Sequence, residues 1–549
     1  MNLLKKYKKT LVLVAVVATG AMFVSTDYNK YFEISKNLEI FANIYKELNT
    51  SYVDEIDPAK LMRTGVDAML ESLDPYTNYI SESEIAGFRL QVTGRYGGIG
   101  ASIRQFKDHD YVVITEPYEG FPAEKAGLIA GDEIISIAGK TAKGKTTKEV
   151  SDILKGAPGD EVTIMVRRPG TAKDFEVTVK REEVKIPNVP YFGMIDDETA
   201  YVTLTTFTER AGANVGDAIK KLQKDNDVKS IILDLRGNGG GLLKEAVNLS
   251  NIFVDKGEEV VTTRSRNVEN DRSFRTLNSP LNTEIPLVVL INGSSASASE
   301  IVSGVIQDLD RGILVGQESF GKGLVQNTRP VGYDSKLKLT TAKYYIPSGR
   351  CIQAISYKDG KSSTINDSLH TEFKTRIGRS VFDGAGVKPD IEIVDPFMSN
   401  VEGALLSKNI IFDYATQYKL KNTEIAPASE YAFSDADFKD FEQFVAKQNM
   451  EYKTASEKEL KQLEEKAKKE NYYDAIKTDL EAMKRKIDED KKKDLYKHKD
   501  RITRLIEQEI VKRYYYQKGG VEVGLKGDPY IKAALKVLKD KQRYQSILK

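Results

Sequence analysis

Apolar residues Ile34, Leu38, Phe41 and Leu48 fall on one stripe of a helical pattern that runs from about Tyr31 to Leu73. Asp57-Pro58 supplies a cap and a proline suited to a first turn, and Leu61, Met62, Met69, Leu70 and Leu73 carry the second helix until Asp74-Pro75 stops it. From about Tyr96 to Lys185 the pattern changes to short strands punctuated by Gly97-Gly98-Ile99-Gly100 and Pro169-Gly170. From about Ile186 to Val394 strands alternate with helices, and the continuous apolar runs Ile231 to Leu233 and Leu287 to Ile291 predict strands buried on both faces of a mixed α/β sheet. After about Pro396 the chain turns charged and helical. Ile476, Leu480, Met483 and Ile487 keep helical spacing there, as do Ile502, Leu505, Ile506 and Ile510, which predicts amphipathic helices packing on the rest of the chain or on a second copy, or else a dedicated partner-binding platform.

A chain of 549 residues is too long for one core. The expected segments are 1–25, a targeting segment; 26–95, an N-terminal helical region; 96–185, a β-rich module; 186–395, the α/β core; and 396–549, a charged helical extension. Lys and Arg number 82 against 81 Asp and Glu, a net charge of +1, so no global field draws the protein to nucleic acid. One cysteine, Cys351, and three histidines, His109, His370 and His498, exclude an internal disulfide framework and leave few ligands for zinc. No metal or other cofactor is expected. Lys5, Lys6, Lys8 and Lys9 precede a neutral run from Leu11 to Val24, the pattern of a cleaved signal or of a membrane anchor. The expected location is the cell envelope, in the periplasm, with this segment as a possible tie to the inner membrane.

Two stretches imitate a phosphate loop. Gly139 to Thr146 satisfies G-x-x-x-x-G-K-[ST], but a short helix and a β-hairpin follow it instead of a crossover unit. Gly316 to Gly323 lacks the hydroxyl residue and runs on to Arg329-Pro330 and a strand, not a helix. Lys322 therefore sits on a loop or strand and needs another explanation.

Ile285 to Glu300, followed by Ile301, Val302, Val305, Ile306 and Leu309, reads as strand, small-residue turn, helix. A serine at that junction lies beside unpaired helix N-terminal amides that stabilise negative charge. Ser294, Ser295, Ser297 and Ser299 could each occupy the point, and helix capping explains them as well. A serine nucleophile needs a base. None of the histidines has a suitable setting, whereas Lys322, among Phe320, Gly321, Gly323, Leu324 and Val325, has the apolar neighbours that favour a neutral amine, although on these residues alone an ordinary solvated surface charge explains it better.

Asn292 to Ile301 with Gly316 to Gln326 resembles the signature of the C-terminal processing peptidases, or tail-specific proteases, which use a Ser-Lys pair. The resemblance implies Ser297, first serine of a Ser-Ala-Ser-Glu run, as nucleophile and Lys322 as base, at the family spacing of 322 − 297 = 25. Gln326 resembles the member that orients the lysine. Leu73-Asp-Pro-Tyr-Thr77, Asp234-Leu-Arg-Gly-Asn-Gly-Gly-Gly241 and Tyr345-Ile-Pro-Ser-Gly-Arg350 match further family motifs, so the likeness spans roughly residues 31 to 395. It implies a multi-domain α/β protein with a crotonase-like serine protease core and an inserted PDZ domain. The oxyanion hole is then expected from the Ala298 amide and one of Gly240 or Gly241, since glycine lets backbone approach substrate closely. Asp234 and Arg236 are expected to hold this loop by ion pairing.

Tyr96-Gly-Gly-Ile-Gly-Ala101 resembles the PDZ loop whose amides capture a free carboxylate, which makes Gly98, Ile99 and Gly100 substrate-binding candidates. Arg168 is a further candidate for sensing the tail. The expected partners are protein or peptide C-termini, with a homodimer a reasonable assembly. Two other functions fit parts of the pattern: a catalytically silent envelope scaffold, and a crotonase-like enzyme acting on small acyl thioesters.

Overall fold

The structure, a computed structural model, describes residues 31–107, 109–358, 360–366, 370–394, 398–448 and 450–549, so the expected targeting segment 1–25 lies outside the described residues. Two compact units emerge. Among the described residues the smaller comprises 31–79, Thr328–Leu339 and Tyr357–Lys361.

In the smaller unit a helix spans 31–51 and a second spans Pro58–Glu71. The Asp57 carboxylate accepts from the Ala59 and Lys60 amides, and Pro58 occupies the first turn. The helix ends two residues before Leu73, and Asp74 turns the chain by accepting from the Tyr76 and Thr77 amides. Of the second helix's expected stripe Leu70 is buried, while Met69 and Leu73 are exposed.

In the larger unit, strands Ala101–Gln105, Val112–Pro117, Glu133–Ile137, Glu161–Arg167 and Phe175–Lys180 form an antiparallel sheet. Thr146, the hydroxyl residue of the first phosphate-loop imitation, caps the helix Thr147–Leu154 and exchanges hydrogen bonds with Glu149, which is a structural use for that threonine.

The second sheet runs in the order Tyr191–Met194, Thr199–Thr203, Ser230–Asp234, Leu287–Ile291, Ile313–Gly316, Ile391–Glu392, with only the first pair antiparallel. Its central strands are buried throughout, as their unbroken apolar runs require. Helices Ala211–Asp225, Leu243–Phe253 and Ala298–Asp308 pack on one face. The other face is closed by the C-terminal helix Pro529–Lys539, which buries Tyr530, Ile531, Ala534, Val537 and Leu538 against Tyr201, Ile232, Val288, Leu290, Ile313 and Val315. Earlier helices of the charged tail build a core of their own, with Ile502, Ile506 and Ile510 fully buried in it. The stripe at 476–487 is different: Leu480 is buried and Met483 exposed.

Candidate active site

Leu287–Ile291 delivers the chain to the serine-rich turn at the carboxyl end of the parallel strands. Two of the four serines are spent there on architecture: Ser295 Oγ donates to Leu235 O at 2.8 Å, and Ser299 Oγ donates to Asn238 O at 2.8 Å. Both are fully buried. Ser297 is half-buried and adopts φ 56°, ψ −113°, outside the regions that a residue with a side chain prefers, so the surrounding contacts hold it in a strained conformation. The helix Ala298–Asp308 starts at the next residue, which places the unpaired first-turn amides beside it.

The loop after Ser230–Asp234 lies directly against Ser297. Asn238 braces it, donating from Nδ2 to Leu204 O at 2.8 Å and accepting the Ala296 amide at its carbonyl at 3.0 Å. Gly240 has φ 96°, and a Cβ there would stand 2.7 Å from Ala296 O and 2.9 Å from both Ala298 N and Ser297 Cβ. Only glycine permits this approach. The Gly240 amide donates to Asn238 Oδ1 at 2.9 Å, so of the two glycines expected to face an oxyanion it is Gly241 whose amide is not spent on Asn238.

Lys322 lies between the strands Ile313–Gly316 and Leu324–Gly332 and is half-buried. Its backbone is held by the residues that hold Ser297. The fully buried Glu300 accepts at Oε2 from Ser297 N at 2.7 Å and Lys322 N at 2.9 Å, and at Oε1 from Gly321 N and Ser319 Oγ, each at 2.6 Å. On the carbonyl side, the Tyr344 hydroxyl donates to Lys322 O and lies 3.2 Å from Ser297 O. Tyr344 is placed by pairing of its strand with Glu259–Ser265, opposite Thr263. Burial pushes the Glu300 carboxyl up to about 7, and the four hydrogen bonds work the other way. Gln326 donates from Nε2 to Thr340 Oγ1 at 3.2 Å.

The expected ion pair is present: Arg236 Nη2 donates to Asp234 Oδ2 at 2.6 Å. The clamping roles of Glu300 and Tyr344 go beyond the expectations from sequence. The Ser-x-x-Glu spacing at 297–300 is a capping-box signature and was the available signal for Glu300. Tyr344 lies in no motif that marks it.

Residues 198–360 match the peptidase family S41, residues 113–168 a PDZ domain, and residues 401–538 the family described as "Probable PDZ-protease, C-terminal helical domain". Over 343 residues, 62% of this chain and 77% of the relative, the sequence is 36% identical to the carboxy-terminal-processing protease of Bartonella bacilliformis. The chain belongs to the carboxy-terminal-processing proteases of family S41. It is thus a serine-type peptidase. This S41 peptidase is also 34% identical over 353 residues to a probable CtpA-like serine protease of Staphylococcus aureus, covering 64% of this chain and 69% of that one. The solved photosystem II D1 C-terminal processing protease shares 28% identity, with a TM-score of 0.34 over 64% of this chain and 92% of that chain.

The S41 peptidase holds its Gly98–Gly100 loop through Ile99 O, which accepts from Ala123 N at 2.7 Å, and Gly100 O, which accepts from Tyr118 N at 2.8 Å. The Tyr96 ring folds over this loop, so a Cβ at Gly98 would lie 2.6 Å from it. Burial and the nearby Tyr118 push the Tyr96 phenol up, against hydrogen bonds from the Ala101 and Gly100 backbones to its oxygen. Arg168 is occupied differently from the expected tail contact. Its Nε and Nη2 both donate to the buried Asp132 at 2.8 Å, and Nη2 also reaches Gly127 O at 2.7 Å.

Proposed function

We propose that this peptidase cleaves polypeptides by a Ser297–Lys322 mechanism after capturing their C-terminal tails at the Gly98–Gly100 loop. The observation that carries the reading is the shared clamp: Glu300 takes both backbone amides and Tyr344 spans both carbonyls, which fixes the two residues relative to each other. Positioning of this kind is what a nucleophile and base need.

The neutral Lys322 amine takes the hydroxyl proton as Ser297 Oγ attacks the carbonyl carbon of the scissile peptide. The oxyanion is met by the amides of Ala298 and Gly241, each such donor lowering the barrier by about 3–4 kcal/mol. As the C–N bond breaks, the ammonium returns the proton to the leaving amine, giving an acyl-enzyme on Ser297. Lys322 then activates water, whose attack releases the acid and restores the hydroxyl.

The tail carboxylate is recognised by backbone amides of the glycine loop while the peptide extends along the adjacent sheet edge. The test uses the full chain and a peptide with a free or amidated C-terminus. Ser297→Ala and Lys322→Ala are expected to abolish cleavage, and amidation to weaken it. Normal turnover by either variant would refute the mechanism, and equal turnover of both peptides would refute the tail reading.

A further inference from the structure

The C-terminal helix Pro529–Lys539 starts against the glycine-rich loop, and a single arginine joins the two. Arg236 gives Nη2 to Asp234 Oδ2 at 2.6 Å and Nη1 to Asp528 Oδ2 at 2.8 Å, with its guanidinium 4.6 Å from the centroid of the Tyr530 ring. Asp528 works at both of its oxygens: Oδ1 caps the helix by accepting Tyr530 N at 2.8 Å, and Oδ2 takes Arg236. Tyr201 donates its hydroxyl to Asp234 Oδ2 at 2.7 Å, which closes the polar cluster on the strand side. The Arg236 and Asp528 side chains are 19% and 13% exposed, so this pair is sheltered from the screening that makes surface pairs nearly worthless.

The position of Arg236 in the chain gives the cluster its consequence. It follows Asp234 and Leu235 at the end of a buried strand and directly precedes Gly237, whose amide donates to Asn292 Oδ1 at 3.0 Å. Four residues after Arg236 comes Gly240, pressed on Ser297. Asp234 takes one edge of the guanidinium, accepting from Nε at 3.0 Å and Nη2 at 2.6 Å, and leaves Nη1 on the far edge for Asp528. With Asp528 it is held from two sides and stacked on an aromatic face.

We infer that Asp528 is a positioning residue for the reaction: through Arg236, the C-terminal helical extension fixes the loop that carries Gly240 and Gly241 against Ser297. This rests on the assignment of Ser297 as nucleophile. The extension then has a catalytic consequence although it supplies no reacting group.

Asp528→Asn tests it, because asparagine caps a helix about as well as aspartate while the charge toward Arg236 is lost. Steady-state cleavage of a tailed peptide by the full chain is expected to show kcat lowered about tenfold with KM within about twofold. The thermal midpoint should stay close to that of the parent. In an Arg236→Gln background, Asp528→Asn should add less than about twofold, since both changes break the same link. An unchanged kcat, a loss of activity matched by loss of folded protein, or full additivity in the double variant would overturn the inference. If Ser297→Ala remains active, the underlying assignment falls; if turnover depends on Ser297 and ignores Asp528→Asn, only the positioning role does.

Discussion

The amides of Ser297 and Lys322, 322 − 297 = 25 positions apart, donate to the same oxygen, Glu300 Oε2, at 2.7 and 2.9 Å. The other oxygen takes Ser319 and Gly321, so the carboxylate accepts four donors and a proton on it would compete with one of them. The ionised form is therefore the one that holds the Ser297 and Lys322 backbones in register.

Glu300 gives a pH prediction with opposite signs for activity and stability. Its pKa is raised to about 7 by burial, so the folded protein binds this proton more tightly than the unfolded chain does. The stabilising contribution is present below the ordinary carboxylate value and is lost as pH rises through about 7. Activity should move the other way, rising through the same window as the clamp ionises. Glu300→Gln should flatten the pH dependence of stability and remove this limb of the kcat profile, leaving only that of the amine. A profile unaltered by Glu300→Gln would show that the carboxyl does not titrate in this window.

Tyr344→Phe removes one oxygen from a fully buried ring and leaves the packing intact. Because that oxygen bridges Ser297 O and Lys322 O, the expected stability cost is about 1 kcal/mol. A larger effect is expected on kcat, about tenfold. Denaturant unfolding together with steady-state kinetics separates the two. A kcat equal to the parent's would mean that Glu300 alone suffices to hold the pair.

The strand–turn–helix around Ser297 was legible because its signals are local: an unbroken apolar run, small residues, then helical spacing. The mixed sheet was legible for the same reason. What covers the sheet's second face was not. Periodicity says that Pro529–Lys539 has an apolar side but not which surface meets it, and the Arg236–Asp528 contact joins residues 292 positions apart. Tyr344 escaped notice because its role depends on strand register with Glu259–Ser265, which no single segment encodes. Arg168 illustrates the converse. Its guanidinium suits a carboxylate, and it found one inside its own module, on the buried Asp132.

Gly240→Ala tests the approach of the loop to Ser297. At φ 96° with Ala296 O 2.7 Å from the added carbon, the loop must move away from Ser297 or distort. The expected outcome is a fall in kcat of about 10²–10³, the size of losing an oxyanion donor, with tail binding unaffected. Direct binding measurements alongside kinetics give both readouts. Retained turnover would mean that the loop can retreat without loss of transition-state stabilisation.

Tyr96→Phe probes the loop proposed to capture the tail. The Tyr96 oxygen lies beside the backbones of Gly100 and Ala101, so on the proposed reading it would compete with a bound carboxylate for the same amides. Removing the oxygen keeps the ring over Gly98 while freeing those donors. In a Ser297→Ala background, where the peptide survives, affinity for a free-acid peptide is expected to rise about three- to tenfold, as one released hydrogen bond allows. Affinity for the amidated peptide should change much less. Fluorescence anisotropy with both peptides measures the difference. Equal free-acid affinities with and without Tyr96→Phe would show that the phenol does not occupy the carboxylate's seat, and a parallel rise for both peptides would place its effect on the peptide's side chains instead.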